Sequence, residues 1–383
     1  MASSRIYLDH NATTPARAEV VEAMRPFWSE EFGNPSSAHR LGQNAASALE
    51  AARARVATLF GAFRADEVVF TSGGSEANAL AIRGTVSLRP SQGRILASPV
   101  EHDAAWALLE QLAAEGYQIE YLSVDPFGRV DPVQVRERLN TAALLVVMQA
   151  NNEVGTLQPI EEIGAIAREF GVPLHVDSVQ AAGKAWIQAS KWGATTVSIS
   201  GHKFGATKGI GALWVRTGHK IRPLVPGHHE GGRRSGTQNV AQAVGLGAAC
   251  ELALADLNDH AARLASLRDG FEASIKNIRG GAWVNGHPVF RTANVSHVSF
   301  AGVKGESLAI ALDMEGIAVS TGSACASGSS KPSHVLAAMG LPLSRQKGAI
   351  RFSLGRQTTQ EDLDRTEEAL LRLVPRLRKA EFP

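Results

Sequence analysis

Short apolar runs and amphipathic stretches alternate along the first two thirds of the chain. Between about residue 50 and residue 216 the runs "EVVF", "RILASPV", "QIEYLSV", "ALLVVMQA", "VPLHVD", "TTVSIS" and "ALWVR" have the length and composition of strands. Between them lie stretches such as "DAAWALLEQLAAEG" and "IEEIGAIAREFG", whose apolar residues recur at the spacing of a helix face. Strand and helix in alternation require crossover connections. The pattern therefore predicts an α/β fold with a mainly parallel seven-stranded sheet covered on both faces. Such sheets bind ligands beyond the carboxyl ends of their strands, so the residues that follow each run are where chemistry is expected.

The texture changes after the Gly-rich stretch "PGHHEGGRRSGTQN", residues 226–239. A long helical segment over about 240–276 leads into a part with fewer strands, "ANVSHVSF" and "AIRFSLG", and two further helices. This predicts a large domain over 14–258 and a smaller α+β domain made of 1–13 and 259–383. With 383 residues, 44% of them hydrophobic, the chain can bury a core of that size. Its 39 basic and 37 acidic residues nearly cancel, which argues against nucleic acid or a membrane as main partner and points to a small-molecule ligand. The start, "MASSRIYLDH", has no signal-peptide pattern, and no apolar run nears eighteen residues, so a cytoplasmic enzyme is expected. Two cysteines, Cys250 and Cys325, are too few for a disulfide framework or a four-cysteine metal site, and no metal is expected. Cys250 sits in an apolar helical pattern and reads as a core thiol. Cys325 sits in "STGSACASGSSKPS", with no apolar neighbours to hold it.

Three strand ends carry candidate chemistry. In "VVFTSGGSEANALAI" a strand turns at Gly73 and Gly74 into a helix opening at Ser75, a seat for a phosphate or simply a turn. In "VPLHVDSVQAAGK" a strand ends at Asp177, with Gln180 three residues on; the carboxylate either caps the next turn or holds a ring nitrogen protonated. In "TTVSISGHKFGATKGIG" a strand ends at Ser200 and delivers His202 and Lys203 between small residues. That lysine is either solvated or a desolvated amine able to form a Schiff base. His102, in "SPVEHDAAW", caps a helix or stacks on a ring and carries a proton. Together a phosphate seat, an Asp and a Lys on successive strand ends suit pyridoxal 5'-phosphate: phosphate at the helix terminus, Schiff base on Lys203, pyridinium nitrogen on Asp177.

With "YLDHNATTP", "FGNPSSAH", "TSGGSEAN", "EHDA", "NNEVGTLQPI", "HVDSVQ", "SGHKFGATKGIG", "RRSGTQN", "STGSACASG" and "RFSLGR" in this order, the chain resembles the class V aminotransferase group of fold type I pyridoxal phosphate enzymes. Within that group it resembles the cysteine desulfurases of the NifS and IscS kind. The resemblance implies a homodimer with both active sites at the subunit interface. It makes Lys203 the Schiff-base lysine, Asp177 the partner of the pyridine nitrogen and Gln180 a donor to the ring's phenolic oxygen. Gly74, Ser75, Ser200 and His202 would hold the phosphate, with Thr237 reaching the phosphate bound in the neighbouring subunit. His102 would stack on the ring, and Asn152 and Arg356 would receive the substrate carboxylate, for which an arginine fork is suited. Cys325 would attack the substrate sulfur as a thiolate, leave alanine, and carry the sulfur as a persulfide to an acceptor protein. His102 or a substrate-derived base would take its proton.

The phosphate turn has Gly74 and Ser75 where the family usually has Ala-Thr, and Ala206 and Thr207 follow Lys203 where Gly-Pro is common. The chain ends at "RLRKAEFP", without the cysteine-containing tail by which housekeeping members load iron–sulfur scaffolds. Rival readings on the same residues are a selenocysteine lyase, a cysteine sulfinate lyase or an aminotransferase. A rival of another class is a non-catalytic sulfur carrier.

Overall fold

A computed structural model describes residues 5–88, 93–276, 278, 281–322 and 333–381. Its central sheet has seven strands, in spatial order Val68–Thr71, Gly211–Val215, Thr196–Ser200, Leu174–Asp177, Ala142–Met148, Arg94–Ala97 and Gln118–Tyr121. Gly211–Val215 runs antiparallel to both of its neighbours, and the remaining pairings are parallel. The five residues of Thr196–Ser200 and the seven of the continuous apolar run Ala142–Met148 are all buried, as central strands covered on both faces are. Among the helices that cover the sheet, Gly74–Val86 turns Gly74, Ala77 and Ala81 inward; a Cβ on Gly74 would stand 2.6 Å from Val179 Cγ2, so the helix sits close.

A three-stranded antiparallel sheet, Ala349–Ser353, Val295–Phe300 and Ala282–Asn285, forms a second layer system, and Ile6–Tyr7 pairs in parallel with Ile317–Ala318. The apolar core divides accordingly. One cluster runs from Val20 to Cys250, and another joins Ile6 and Leu8 to Leu264, Phe271, Phe300, Phe352 and Leu370. The helix Val240–Ile275 contributes to both, through Val244, Leu246 and Cys250 at one end and Leu264, Phe271 and Ile275 at the other. By length and composition that helix is apolar enough to cross a membrane, but its apolar residues are committed to these two cores.

Candidate active site

The carboxyl ends of Ala142–Met148, Leu174–Asp177 and Thr196–Ser200 open on a cavity of about 360 Å³. Gly73, Gly74, Ser75, His102, Asn152, Asp177, Gln180, Ser200, His202 and Lys203 line it, which is nine of the twelve site residues expected from the sequence together with Gly73; Thr237 and Arg356 are not among its lining residues. At one end stands the amino terminus of Gly74–Val86. Its N-cap is Gly73, so no side chain takes the first free N–H groups. A Cβ at Gly73 would meet nothing nearer than Ser200 Oγ at 3.9 Å, so the turn faces open space. Behind it, Gly211 leaves no room for a side chain, since a Cβ there would lie 2.7 Å from the Gly73 carbonyl carbon. Free donors, the positive helix end and a hydroxyl make a cradle that fits a phosphate.

The floor is Asp177, only 3% exposed. Its Oδ1 accepts the Val179 N–H at 2.9 Å and its Oδ2 accepts from Asn78 Nδ2 at 2.6 Å. Asn78 Oδ1 in turn accepts from Ser198 Oγ at 2.5 Å and faces His175 Nε2 at 3.1 Å. This chain of hydrogen bonds fixes the carboxylate in place and aims it. An anion so placed, opposite a phosphate seat, fits a pyridinium ring. Lys203, in the turn after Thr196–Ser200, donates from Nζ to the carbonyls of Asn11 and Ala12, both at 2.8 Å.

His102 is the N-cap of the helix Asp103–Ala114, its Nδ1 accepting the Ala104 N–H at 3.1 Å. The capping and cavity-lining readings are thus compatible. Burial first, and then Lys203, hold its pKa below the usual value against the pull of Asp177. His202 is held to about 4, by burial and then by Lys203, while its Nδ1 meets Thr13 Oγ1 at 3.1 Å. Glu101, fully buried beside these groups, has its carboxyl pushed up to about 8 by burial and then by Asp177.

Thr237 is exposed and lines a separate cavity of about 280 Å³, which shares Ser72 and Gly209 with the principal one. Its loop is seated by Glu230, whose buried carboxylate takes Arg53 and the Phe70 N–H, and by Arg234 on Glu76 at 2.9 Å. Arg356 lies outside the principal cavity, its guanidinium on Asp256, and lines a smaller cavity of about 80 Å³ that meets Lys203 from another side. Cys325 lies outside the described residues. Of the described residues nearest to it in sequence, Gly322 accepts at its carbonyl from Arg351 at 3.3 Å and Ser333 Oγ donates to Glu153 at 2.6 Å.

Several residues at the site were not singled out from the sequence. Asn11, 2% exposed, joins Lys203 to Asn152, whose carbonyl accepts its Nδ2 at 3.0 Å. Arg351, also 2% exposed, donates to the same Asn152 carbonyl at 2.9 Å and to Asp9 at 2.7 Å, and its Nε has no partner among the described residues. Asn78 left a signal: it shares the buried helix face of Gly74, Ala77 and Ala81, where a polar residue needs a partner. Asn11 and Arg351 left none, since each is placed by pairings far along the chain. Among the described residues, no group of three or more His, Cys, Asp or Glu is gathered to hold a metal ion.

A family model for class V aminotransferases matches residues 6–366, and the chain belongs to that family. The cysteine desulfurase IscS of Dictyoglomus turgidum is 44% identical over 376 residues, 97% of this chain and 95% of that protein. The cysteine desulfurase NifS of Azotobacter vinelandii is 42% identical over 375 residues, 97% of this chain and 93% of that protein. Among solved structures, a NifS-like protein superposes with a TM-score of 0.91 at 34% identity, covering 97% of this chain and 100% of its own. Within the family the chain falls among the cysteine desulfurases of the NifS and IscS kind.

Proposed function

We infer that this chain is a pyridoxal phosphate-dependent cysteine desulfurase that transfers the sulfur of L-cysteine to Cys325. The observation that carries this is the convergence of an uncapped helix terminus, Asp177 and Lys203 on one cavity. Gly74, Ser75, Ser200 and His202 would hold the phosphate of the cofactor, Asp177 its ring nitrogen, Gln180 its phenolic oxygen and Lys203 its aldehyde carbon, with Asn152 and His102 against the ring. When bound, the cofactor supplies an electron sink at the α-carbon of an amino acid.

The chain's own residues set the rest. With Nδ1 of His102 occupied by the Ala104 N–H, the neutral ring carries its proton on Nε2, which is the atom that can donate into the cavity. The substrate carboxylate needs a guanidinium near Asn152. Both candidates also meet a carboxylate, Asp9 for Arg351 and Asp256 for Arg356; geometry favours Arg351 because it donates to the Asn152 carbonyl, whereas Arg356 lines the smaller cavity, away from Asn152. The thiolate of Cys325 forms a bond to the substrate sulfur as the carbon–sulfur bond breaks. The electron pair of that bond stays on carbon, which is protonated to give alanine, and Cys325 holds a persulfide. A sulfur-acceptor protein then takes it. A homodimer would bring Thr237 to the partner's phosphate, a role its exposed position supports. The split of the apolar core supports a large unit over 14–258 and a small one made of 1–13 and 259–383.

The test pairs the visible spectrum of the purified protein with alanine and sulfide release from L-cysteine. Wild type should show a bound-cofactor band and equimolar products. Cys325→Ala should keep the band and lose about 10³-fold or more of alanine formation. Undiminished alanine formation in that variant would move the reading to another lyase, and absence of any band after reconstitution would overturn it.

A further inference from the structure

We propose that Lys184 is a positioning residue that fixes the carboxamide of Gln180 so that its NH₂ end faces the cofactor cavity; this rests on the function proposed above. Gln180 lines the cavity of about 360 Å³, whereas Lys184 lines the smaller cavity behind it. The two residues belong to the turn-rich segment that follows Asp177. Ala181 and Ala182 both donate to the Ser178 carbonyl, and the Lys184 N–H donates to Ala181 at 2.8 Å. Gly183, at φ +70° and with Phe204 Cβ 2.8 Å from where its own Cβ would stand, lets the chain turn back and bring the amine under Gln180.

A carboxamide presents an acceptor at one end and donors at the other, nearly identical in shape, so its orientation is set by its partners. Lys184 Nζ donates to Gln180 Oε1 at 2.7 Å and to Asn11 Oδ1 at 3.2 Å. The other end of Gln180, Nε2, then donates at 2.9 Å to the Asn11 carbonyl, the same oxygen that receives the cavity-lining Lys203. Asn11 is ordered in the same sense, since Oδ1 also takes Asn294 Nδ2 at 2.9 Å while Nδ2 donates to the Asn152 carbonyl at 3.0 Å. Reversing Gln180 would set NH₂ against the amine and oxygen against a carbonyl oxygen, two unfavourable contacts in place of two hydrogen bonds. Neither acceptor of Lys184 is a carboxylate. Burial, and then the neighbouring Lys203 and Arg351, hold its pKa well below the ordinary lysine value. An amine placed there without a carboxylate partner is costly, and what it does in that place is sort the two ends of two amides.

The consequence for the cofactor is direct. A Gln180 that presents NH₂ to the cavity can donate to a phenolic oxygen, whereas a reversed one would set lone pairs against it. Titration of cofactor-free protein with pyridoxal 5'-phosphate, following the visible band, tests this in a double-mutant cycle with Lys184→Met and Gln180→Leu. Lys184→Met should weaken cofactor binding about tenfold and shift the band in the Gln180 background. In the Gln180→Leu background it should change the affinity less than about twofold. Gln180→Glu, which pairs with Lys184 but offers no N–H, should bind the cofactor as weakly as Lys184→Met, and keeps the test open if the methionine variant does not fold. Equal effects of Lys184→Met in both backgrounds, an unshifted band with wild-type affinity, or wild-type affinity in Gln180→Glu would each overturn the proposal. A wild type that binds no pyridoxal phosphate would instead sink the function on which it rests.

Discussion

The two sides of the principal cavity are built by different means. On one side, Asp177, Ser200 and Lys203 stand at the ends of adjacent strands of one sheet, each delivered by the apolar run that precedes it. On the other, Asn152 and Gln180 are backed by Arg351 and Asn11, and Arg351, Asn294 and Ser353 are tied to Asp9 and Asn11 across separations of 342, 283 and 342 residues. The first side is held by the sheet itself. The second is held by individual hydrogen bonds converging on an N-terminal segment of a few residues. A single substitution should therefore disturb the substrate-facing side more selectively than the cofactor-facing one.

The sharpest way to probe that difference sets the two arginines against each other. Arg351→Lys keeps the charge and loses the fork, and the KM for L-cysteine is expected to rise about 10- to 100-fold while the cofactor band stays in place. Arg356→Ala should raise it far less, because Arg356 lines the smaller cavity, away from Asn152. The reverse ranking in steady-state kinetics would return the carboxylate to the arginine expected from the sequence and would show that the small cavity, not the Asn152 side, receives the substrate.

Next in size is a pH effect on the cofactor-facing side. Glu101 binds a proton on folding, because its carboxyl is pushed from 4.5 to about 8. That makes the folded state lose stability as pH rises between those values, by at most about 1.4 kcal/mol per pH unit. His175 and His297, buried and with pKa lowered from 6.5 to about 3, act in the opposite sense and add stability as pH rises from about 3 to 6.5, after which their contribution is constant. Glu101→Gln keeps an acceptor for the Met148 N–H and removes the titration. In urea unfolding of the cofactor-free proteins, the stability of Glu101→Gln relative to wild type should grow from pH 6 to pH 8. A constant difference would mean that the carboxylate is stabilised in some way the present contacts do not show.

The smallest effect is expected at the second cysteine. Cys250 is completely buried, and burial pushes its thiol far above the usual value. Cys250→Ala should lower stability by about 1 kcal/mol and leave alanine formation unchanged. A loss of sulfur transfer in that variant would make it more than a packing residue.

Much of this was legible in the sequence because it is local. The seven sheet strands fall within the apolar runs to within a few residues, and the helix 240–276 is found as Val240–Ile275. Lys203, Asp177 and the Gly73–Gly74 turn could be read as chemistry because a strand end in a parallel sheet already faces the ligand side. Asn78 was legible in principle, as a polar residue on a buried helix face. Asn11 and Lys184 were not, since nothing within a few residues of either predicts that they meet around Gln180. The choice between Arg351 and Arg356 also lies beyond the sequence pattern. The two are five residues apart, and the pairing of Ala349–Ser353 with Val295–Phe300 and of Ser353 with Asp9 decides which guanidinium arrives beside Asn152. By itself, then, the sequence determined the sheet, its order of chemistry-bearing ends and the residue types at them, because periodicity and chain connectivity act over a few residues. The tertiary structure alone decided how the second wall meets the first, because those contacts are hydrogen bonds between segments that only the packed core brings within 3 Å of each other.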